Sequence, residues 1–126
     1  SLVIDPTDYD VFLMENLYVD ILSDLGAGLI GGLGLAPSAN IGHTAAVFEA
    51  VHGSAPDIAG KGLANPSALM LSAIEMLKHI GQHEAAERID SALHATLSVA
   101  EARTADIGGK KSTMEFAKEV VARLDG

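Results

Sequence analysis

Residues 52–66 read HGSAPDIAGKGLANP, and the rest of the chain is organised around this loop. An apolar run typical of a strand precedes it at residues 45–51, and a strongly helical run follows it at residues 66–80. In α/β proteins, ligands bind in loops that follow the ends of strands, and long loops without secondary structure are often functional. The pattern therefore predicts an α/β fold with a candidate ligand site in this loop.

The side chains of the loop suit the recognition of a polar ligand. Asp57 can accept two hydrogen bonds from hydroxyl groups, Asn65 can both donate and accept, and the small residues let a ligand reach the backbone. His52 opens the loop, where an imidazole can stack on a base or hydrogen-bond to it. The alternative is a surface connection in which Asn65 caps the following helix and Pro66 occupies its first position. Chemistry alone leaves both readings open.

Composition restricts the function classes. The 126 residues make at most one domain, and a hydrophobic content of 48% is typical of a globular chain. A formal net charge of −9 argues against a nucleic-acid partner, because phosphate backbones are bound by clustered Lys and Arg. No cysteine is present, and no apolar run approaches the roughly 20 residues of a membrane span. We expect a soluble protein without a membrane partner, cytoplasmic or, in a eukaryote, in the mitochondrial matrix.

Hydrophobic periodicity predicts two strands and about four helices. The strands are expected at residues 10–14 and 45–51, and the helices at residues 18–30, 66–80, 83–100 and from 112 onward. The first strand is apolar enough to be a buried parallel strand, and the second helix is apolar nearly all round and therefore expected to be central. Ser112 and Glu115 form a capping box that opens the last helix. Two strands cannot complete a parallel sheet, so we expect a partial domain of a longer protein.

Two aspartates on the first predicted helix are candidate metal ligands. Asp20 and Asp24 lie four residues apart, so both carboxylates project from one face of the helix. Mg²⁺ is commonly held by one or two carboxylates together with water and substrate oxygens. The alternative is a pair of solvated charges near a helix start, where they complement the helix dipole. The spacing by itself leaves both interpretations open.

A glycine pattern in the same region is misleading. Residues 26–31, GAGLIG, match the G-x-G-x-x-G spacing of dinucleotide-binding proteins. That motif must follow a strand and open a helix, whereas this one closes a helix. We therefore interpret these glycines as residues that allow close packing of the helix end and a following loop.

Three long segments resemble the β-decarboxylating dehydrogenases, the family of isocitrate, 3-isopropylmalate and homoisocitrate dehydrogenases. They are NLYVDILSDL at 16–25, GGLGLAPSANIG at 31–42 and FEAVHGSAPDIAG at 48–60. The resemblance covers essentially the whole chain, and residues 46–52 and 77–81 are most similar to the NAD-dependent isocitrate dehydrogenases. It implies that residues 1–126 are a single partial domain, the C-terminal portion of the family's large cofactor- and metal-binding domain.

The resemblance also implies an activity and its cofactors. The family oxidises a small 2-hydroxy acid with NAD(P) and a divalent metal, Mg²⁺ or Mn²⁺, and releases the β-carboxylate as CO₂. Here it implies NAD-dependent conversion of isocitrate to 2-oxoglutarate, with 3-isopropylmalate and homoisocitrate as alternative substrates. Asp20 and Asp24 fall on the family's metal-binding aspartates. The residues that fall on its cofactor site are His52, Gly53, Ser54, Ala55, Pro56, Asp57, Ile58, Asn65 and Asp106.

Two of these positions indicate the choice of cofactor. Asp57 and Ile58 match the NAD-preferring pattern of the family, in which a carboxylate binds the ribose hydroxyls of adenosine and repels a 2′-phosphate. NADP-preferring relatives tend to carry a cation and a tyrosine there. The resemblance therefore implies that NAD is the cofactor.

Some features of the family are missing from this chain. Val19 stands where the family usually has Gly, and Ala105 where it commonly has Arg. The family's catalytic Tyr and Lys, its substrate arginines and a further metal aspartate from a second subunit precede these motifs. We therefore expect a homo-oligomeric full-length enzyme and no activity from this chain alone. A non-catalytic, nucleotide-binding subunit or fragment is the alternative, although the intact aspartate pair and loop argue against a degenerate regulatory subunit.

Overall fold

The computed structural model describes residues 3–7, 9–29 and 32–124, with Leu33 described in its backbone only. The elements are helices α1 (Asn16–Leu29), α2 (Ser67–His79), α3 (His83–Ser98) and α4 (Thr113–Val121), strands β1 (Pro37–Ile41) and β2 (Ala46–Ala50), and short 3₁₀ turns at Leu33–Leu35, Ala100–Ala102 and Ala105–Ile107. The predicted α/β chain with about four helices and few strands is confirmed.

The two strands form an antiparallel hairpin, with Pro37 opposite Ala50 and Ile41 opposite Ala46. The predicted strand at 45–51 is therefore confirmed in position, but its pairing within the described chain is antiparallel. Sequence periodicity did not predict β1, because Pro, Ser and Asn are poor strand formers. Pro37 is tolerated as the first residue of its strand, where its missing N–H costs little. Tertiary pairing has overridden a weak local preference.

The predicted strand at residues 10–14 is wrong. These residues have no regular secondary structure, and Val11 and Leu13 are 86% and 97% exposed. A strand is stable only when a neighbouring strand satisfies its backbone groups, and no partner strand lies beside this run in the described part of the chain. An apolar composition is therefore not enough to make a strand here.

The core lies between α2, α3 and α4. Its buried members are Ile74, Ala86, Ala92, Leu93, Phe116 and Val120. The capping box is confirmed: the Ser112 hydroxyl accepts from the Glu115 N–H at 3.3 Å, and the Ser112 N–H donates to the Glu115 carboxylate at 2.8 Å. α4 therefore begins at a point that local hydrogen bonding specifies.

α2 connects the core to the hairpin but is not buried all round. The buried Ser72 hydroxyl donates to the Glu49 carbonyl of β2 at 2.7 Å. Elsewhere along the helix, Leu69 is 62% exposed, and Met76 is also exposed. The predicted central position of α2 is confirmed, because α2 contacts α3, both strands and the 3₁₀ turn Leu33–Leu35, although its surface is not wholly buried. α2 ends at His79, and Gly81, two residues later, has a φ of +81°, the left-handed conformation that terminates helices.

α1 lies at the edge of the structure. It packs against the 3₁₀ turn Leu33–Leu35, and of its residues only Ala27 is buried. Gly26 and Gly28 belong to this helix, but a Cβ atom at either position would meet open space, so the close packing expected of them is not found within the described chain. Ile30 and Gly31 lie outside the described residues. In the part of the chain that the structure covers, no helix is both long and apolar enough to span a bilayer.

Candidate functional site

The 52–66 loop, the start of α2 and the 3₁₀ turn Ala105–Ile107 enclose a cavity of about 430 Å³. This volume lies within the range of roughly 300–1,000 Å³ typical of small-molecule sites. Six of the nine predicted cofactor residues line it: His52, Gly53, Ala55, Ile58, Asn65 and Asp106. Asp106 is far from the loop in sequence, so the fold itself brings the two parts of the prediction together.

Asn65 and Asp106 are joined by a direct hydrogen bond across the cavity wall. The Asn65 Nδ2 donates to Asp106 Oδ2 at 2.9 Å. The other end of the amide, Oδ1, accepts from the Ser67 N–H at 3.0 Å and from the Ser67 hydroxyl at 2.7 Å. Because Oδ1 faces two donors and Nδ2 faces a carboxylate, only one orientation of the amide satisfies all three contacts.

Asn65 contacts the start of α2 and also lies in the cavity wall, and its part in binding a ligand stays a prediction. It satisfies the first free N–H of α2, although the helix itself begins at Ser67 rather than at Pro66. It also lines the cavity and holds Asp106. Helix capping and membership of a ligand site are thus compatible at this residue.

The far end of the loop is tethered to the start of α4. The Thr113 N–H donates to the Gly62 carbonyl at 2.8 Å, and the Thr113 hydroxyl donates to the Ala64 carbonyl at 2.5 Å. Thr113 also lines the cavity. The capping box that fixes the start of α4 thereby positions the loop too, a link that sequence reasoning missed.

Backbone geometry shapes the loop at three positions. Gly60 and Gly62 have φ values of +74° and +65°, and Ala55 has a φ of +41°. Glycine adopts positive φ without a steric cost, whereas alanine does so under strain, and such strain is frequent at ligand sites. Ala55 lines the cavity, so the strained residue lies at the candidate site.

Three predicted cofactor residues do not line this cavity: Ser54, Pro56 and Asp57. Ser54 lines an adjoining recess that residues of the loop, Gly60 among them, form by themselves. Asp57 is exposed and lies in sequence between Ala55 and Ile58, which do line the cavity. Its carboxylate therefore belongs to the exposed part of the loop.

The cavity wall is mainly apolar. Ile58, Leu63 and Leu69 are partly exposed apolar side chains that line it, and such surfaces suit the face of a planar ring. None of the described residues that line it is Lys or Arg. A phosphate beside Asp106 would therefore meet a carboxylate with no Lys or Arg among the described lining residues.

Sequence reasoning missed several lining residues. Gly34 comes from the 3₁₀ turn Leu33–Leu35, and a Cβ atom there would lie 3.7 Å from both Asn65 and Asp106. Leu69 comes from α2, and Thr113 from α4. The glycine-rich run around Gly34 was the only feature of the sequence that indicated a close approach of the backbone. No local pattern indicated that Leu69 or Thr113 would line the cavity.

The two predicted metal ligands lie elsewhere on the surface. Asp20 and Asp24 are both exposed on α1 and do not line the cavity. Within the described residues, no group of three or more His, Cys, Asp or Glu side chains is arranged to hold a metal ion. Two carboxylates one helical turn apart fit part of a divalent-metal shell, and the remaining ligands would come from outside the described chain.

Comparison with known proteins extends these observations. A family model described as isocitrate/isopropylmalate dehydrogenase matches residues 1–120. The mitochondrial isocitrate dehydrogenase (NAD) subunit 2 of Schizosaccharomyces pombe is 55% identical over 127 residues, which cover 98% of this chain and 34% of that protein. The 3-isopropylmalate dehydrogenase of Archaeoglobus fulgidus is 53% identical over 124 residues, which cover 98% of this chain and 38% of that protein.

A solved structure agrees with the sequence relatives. The crystal structure of isocitrate dehydrogenase from Methylococcus capsulatus matches 99% of this chain with a TM-score of 0.90 and 48% identity, and 38% of that chain is covered. The chain thus spans little more than a third of the length of these relatives. Sequence, fold and the matched span agree, and the chain belongs to the isocitrate/isopropylmalate dehydrogenase family.

Proposed function

We propose that this chain is the part of an NAD-dependent β-decarboxylating dehydrogenase that binds the adenosine end of NAD and supplies two metal ligands. The observation that carries the proposal is the cavity in which the 52–66 loop and Asp106 meet, joined by the Asn65–Asp106 hydrogen bond. Its size, apolar wall and paired polar groups suit a nucleoside. The proposed reaction is oxidation of isocitrate to 2-oxoglutarate by the full-length protein.

Each part of the cavity has a separate task in this proposal. Ile58, Leu63 and Leu69 provide apolar surface for the adenine ring, and Asn65 and Asp106 provide hydrogen-bonding groups beside it. Asp57, in the exposed part of the loop, would accept hydrogen bonds from the ribose hydroxyls. The Asp57 carboxylate supports NAD over NADP, because it would repel a 2′-phosphate, which needs a positive partner.

The metal part of the proposal rests on the aspartate pair of α1. Asp20 and Asp24 would supply two oxygen ligands, and the full-length, homo-oligomeric protein would supply the rest together with the catalytic Tyr and Lys. When bound, NAD accepts the hydride, and the divalent cation stabilises negative charge on the substrate oxygens. This chain's own residues bind and orient these groups, so we expect no turnover from the chain alone.

An activity assay of the full-length protein tests the proposal. Isocitrate, 3-isopropylmalate and homoisocitrate are each assayed with NAD and with NADP in the presence of Mg²⁺, in parallel with this chain alone. We expect the highest kcat/KM with isocitrate and NAD. A preference for 3-isopropylmalate would support the second candidate substrate, which the relative named for that activity favours. Turnover by this chain alone, or activity that survives removal of all divalent metal, would contradict the proposal.

The proposed role of the loop is tested by substitutions that should change the cofactor preference of the full-length protein. Asp57→Lys combined with Ile58→Tyr should raise the NADP-to-NAD ratio of kcat/KM by about 10- to 100-fold, because a charge-assisted hydrogen bond to the 2′-phosphate contributes about 1.5–3 kcal/mol. Asp10→Lys makes the same charge change at another exposed aspartate and serves as the control. An unchanged ratio in the double variant would refute the assignment of these two residues.

A further inference from the structure

A buried threonine contacts Asp106 directly and is connected to Asn65 through the Asp106 carboxylate. Thr104 is fully buried and is not one of the residues that line the cavity. Its hydroxyl donates to Asp106 Oδ1 at 2.5 Å. A buried hydroxyl is costly unless it is hydrogen-bonded, so this contact fixes the position of Asp106 as well as satisfying Thr104.

The backbone of Thr104 is itself firmly held. Its carbonyl accepts from the Gly109 N–H at 2.9 Å and from the Ile107 N–H at 3.3 Å. Thr104 also forms a parallel bridge with Lys111. The hydroxyl therefore projects from a rigid segment and can act as a fixed reference point for the carboxylate.

The carboxylate of Asp106 passes this constraint on to the loop. Thr104 binds Oδ1 and Asn65 binds Oδ2, so the carboxylate is held from both sides. Asn65 is in turn fixed by Ser67 at the start of α2. The chain of contacts runs from the buried Thr104 to the cavity wall without a break, although Asp106 itself is exposed.

We propose that Thr104 is a positioning residue for cofactor binding, which acts by holding the Asp106 carboxylate and, through it, the Asn65 amide. This inference rests on the proposed function, because it takes NAD as the ligand of the cavity. Without the hydroxyl, the carboxylate is free to rotate toward solvent, and the Asn65 amide loses the partner that orients Nδ2. The cavity then has to be ordered again by the ligand, which lowers affinity.

The test uses three variants of the full-length protein. Thr104→Val removes the hydroxyl but keeps the shape and branching of the side chain, and Thr104→Ser restores the hydroxyl. Thr96→Val is the matched control, since Thr96 is also fully buried but its hydroxyl donates to the Ala92 carbonyl within α3. NAD affinity is measured by titration calorimetry, and kcat and both KM values are measured by steady-state kinetics.

We expect Thr104→Val to raise the Kd and KM for NAD by about 5- to 30-fold while kcat and the KM for the hydroxy acid stay within about twofold. Thr104→Ser should return the NAD values to within about threefold of wild type, and Thr96→Val should leave them unchanged. In an Asp106→Asn background, Thr104→Val should add less than about twofold, because the two residues act on the same contact. Equal losses in the Val and Ser variants, or an unchanged Kd in a folded Thr104→Val protein, would overturn the inference.

A ligand-independent measurement separates this inference from the proposed function. In a crystal structure of ligand-free Thr104→Val, we expect the distance from Asp106 Oδ2 to Asn65 Nδ2 to increase clearly beyond hydrogen-bonding range, compared with 2.9 Å here. A carboxylate that keeps its position in that variant would refute the positioning role. If wild-type protein failed to bind NAD, the proposed function would be wrong, whatever the position of the carboxylate.

Discussion

Gly109 follows Thr104 and Asp106 in the chain, and a substitution there tests how tightly this segment packs against itself. A Cβ atom at this position would lie 2.0 Å from the Arg103 carbonyl oxygen and 2.3 Å from its carbonyl carbon. Ordinary contact begins near 3.4 Å, so Gly109→Ala must separate the two backbone segments by about 1.4 Å. Arg103 cannot withdraw freely, because its Nε donates to the Leu97 carbonyl at 2.6 Å.

The magnitude follows from the contacts that such a movement breaks. The Gly109 N–H bonds to the Thr104 carbonyl, and the Lys111 N–H bonds to the Arg103 carbonyl, each at 2.9 Å. Losing both costs about 2 kcal/mol, and overpacking adds about 1–3 kcal/mol. We therefore expect Gly109→Ala to lower the free energy of unfolding by about 3–5 kcal/mol and also to weaken NAD binding, since Thr104 and Asp106 lie in the same segment.

Two other glycines provide matched controls in urea unfolding of the full-length protein followed by circular dichroism. Gly108 has a φ of +83° but open space where a Cβ atom would lie, so Gly108→Ala should cost only about 1–2 kcal/mol. Gly26, inside α1, has neither constraint, and Gly26→Ala should be neutral or stabilising by up to about 1 kcal/mol. A Gly109→Ala protein that is no less stable than Gly108→Ala would refute the steric argument.

Three further predictions concern charge and capping. Asp20→Asn should weaken the apparent Mg²⁺ affinity of the full-length protein by at least about tenfold, as measured by activity against metal concentration, whereas Glu84→Gln on α3 should leave it unchanged; equal effects would argue against the metal role. Ser112→Ala should destabilise the protein by about 1 kcal/mol in urea unfolding through loss of the α4 cap, and a cost near zero would mean that tertiary contacts alone fix the helix start. Hydrogen bonds from the Ser112 N–H and hydroxyl lower the pKa of Glu115 below its usual 4.5, so the ionised carboxylate stabilises the fold above that pH. The stability that wild type has over Glu115→Gln should therefore disappear as pH falls through the lowered pKa. A stability difference that persists at lower pH would contradict this assignment.

The success of sequence reasoning depended on how far apart the interacting residues lie. The capping box of Ser112 and Glu115 and the helix-terminating residue Gly81 are local signals, and both are found in the structure. The strand expected at residues 10–14 and the missed strand β1 are failures of the opposite kind, because a strand depends on a partner that sequence spacing does not reveal. The exposed residues of α2 were not predicted for the same reason.

The candidate site shows the same difference between local and long-range interactions. The sequence was enough to predict which loop carries the polar and small residues, where α2 and α4 begin to within a residue or so, and which aspartates share a face of α1. All of these depend on neighbours close along the chain. The folded chain was needed to show that Asn65 and Asp106, 41 residues apart, hydrogen-bond to each other, that Thr113 tethers the loop, and that buried Thr104 contacts the carboxylate. Burial and long-range hydrogen bonding arise from packing of distant segments, so no local pattern in the chain encodes them.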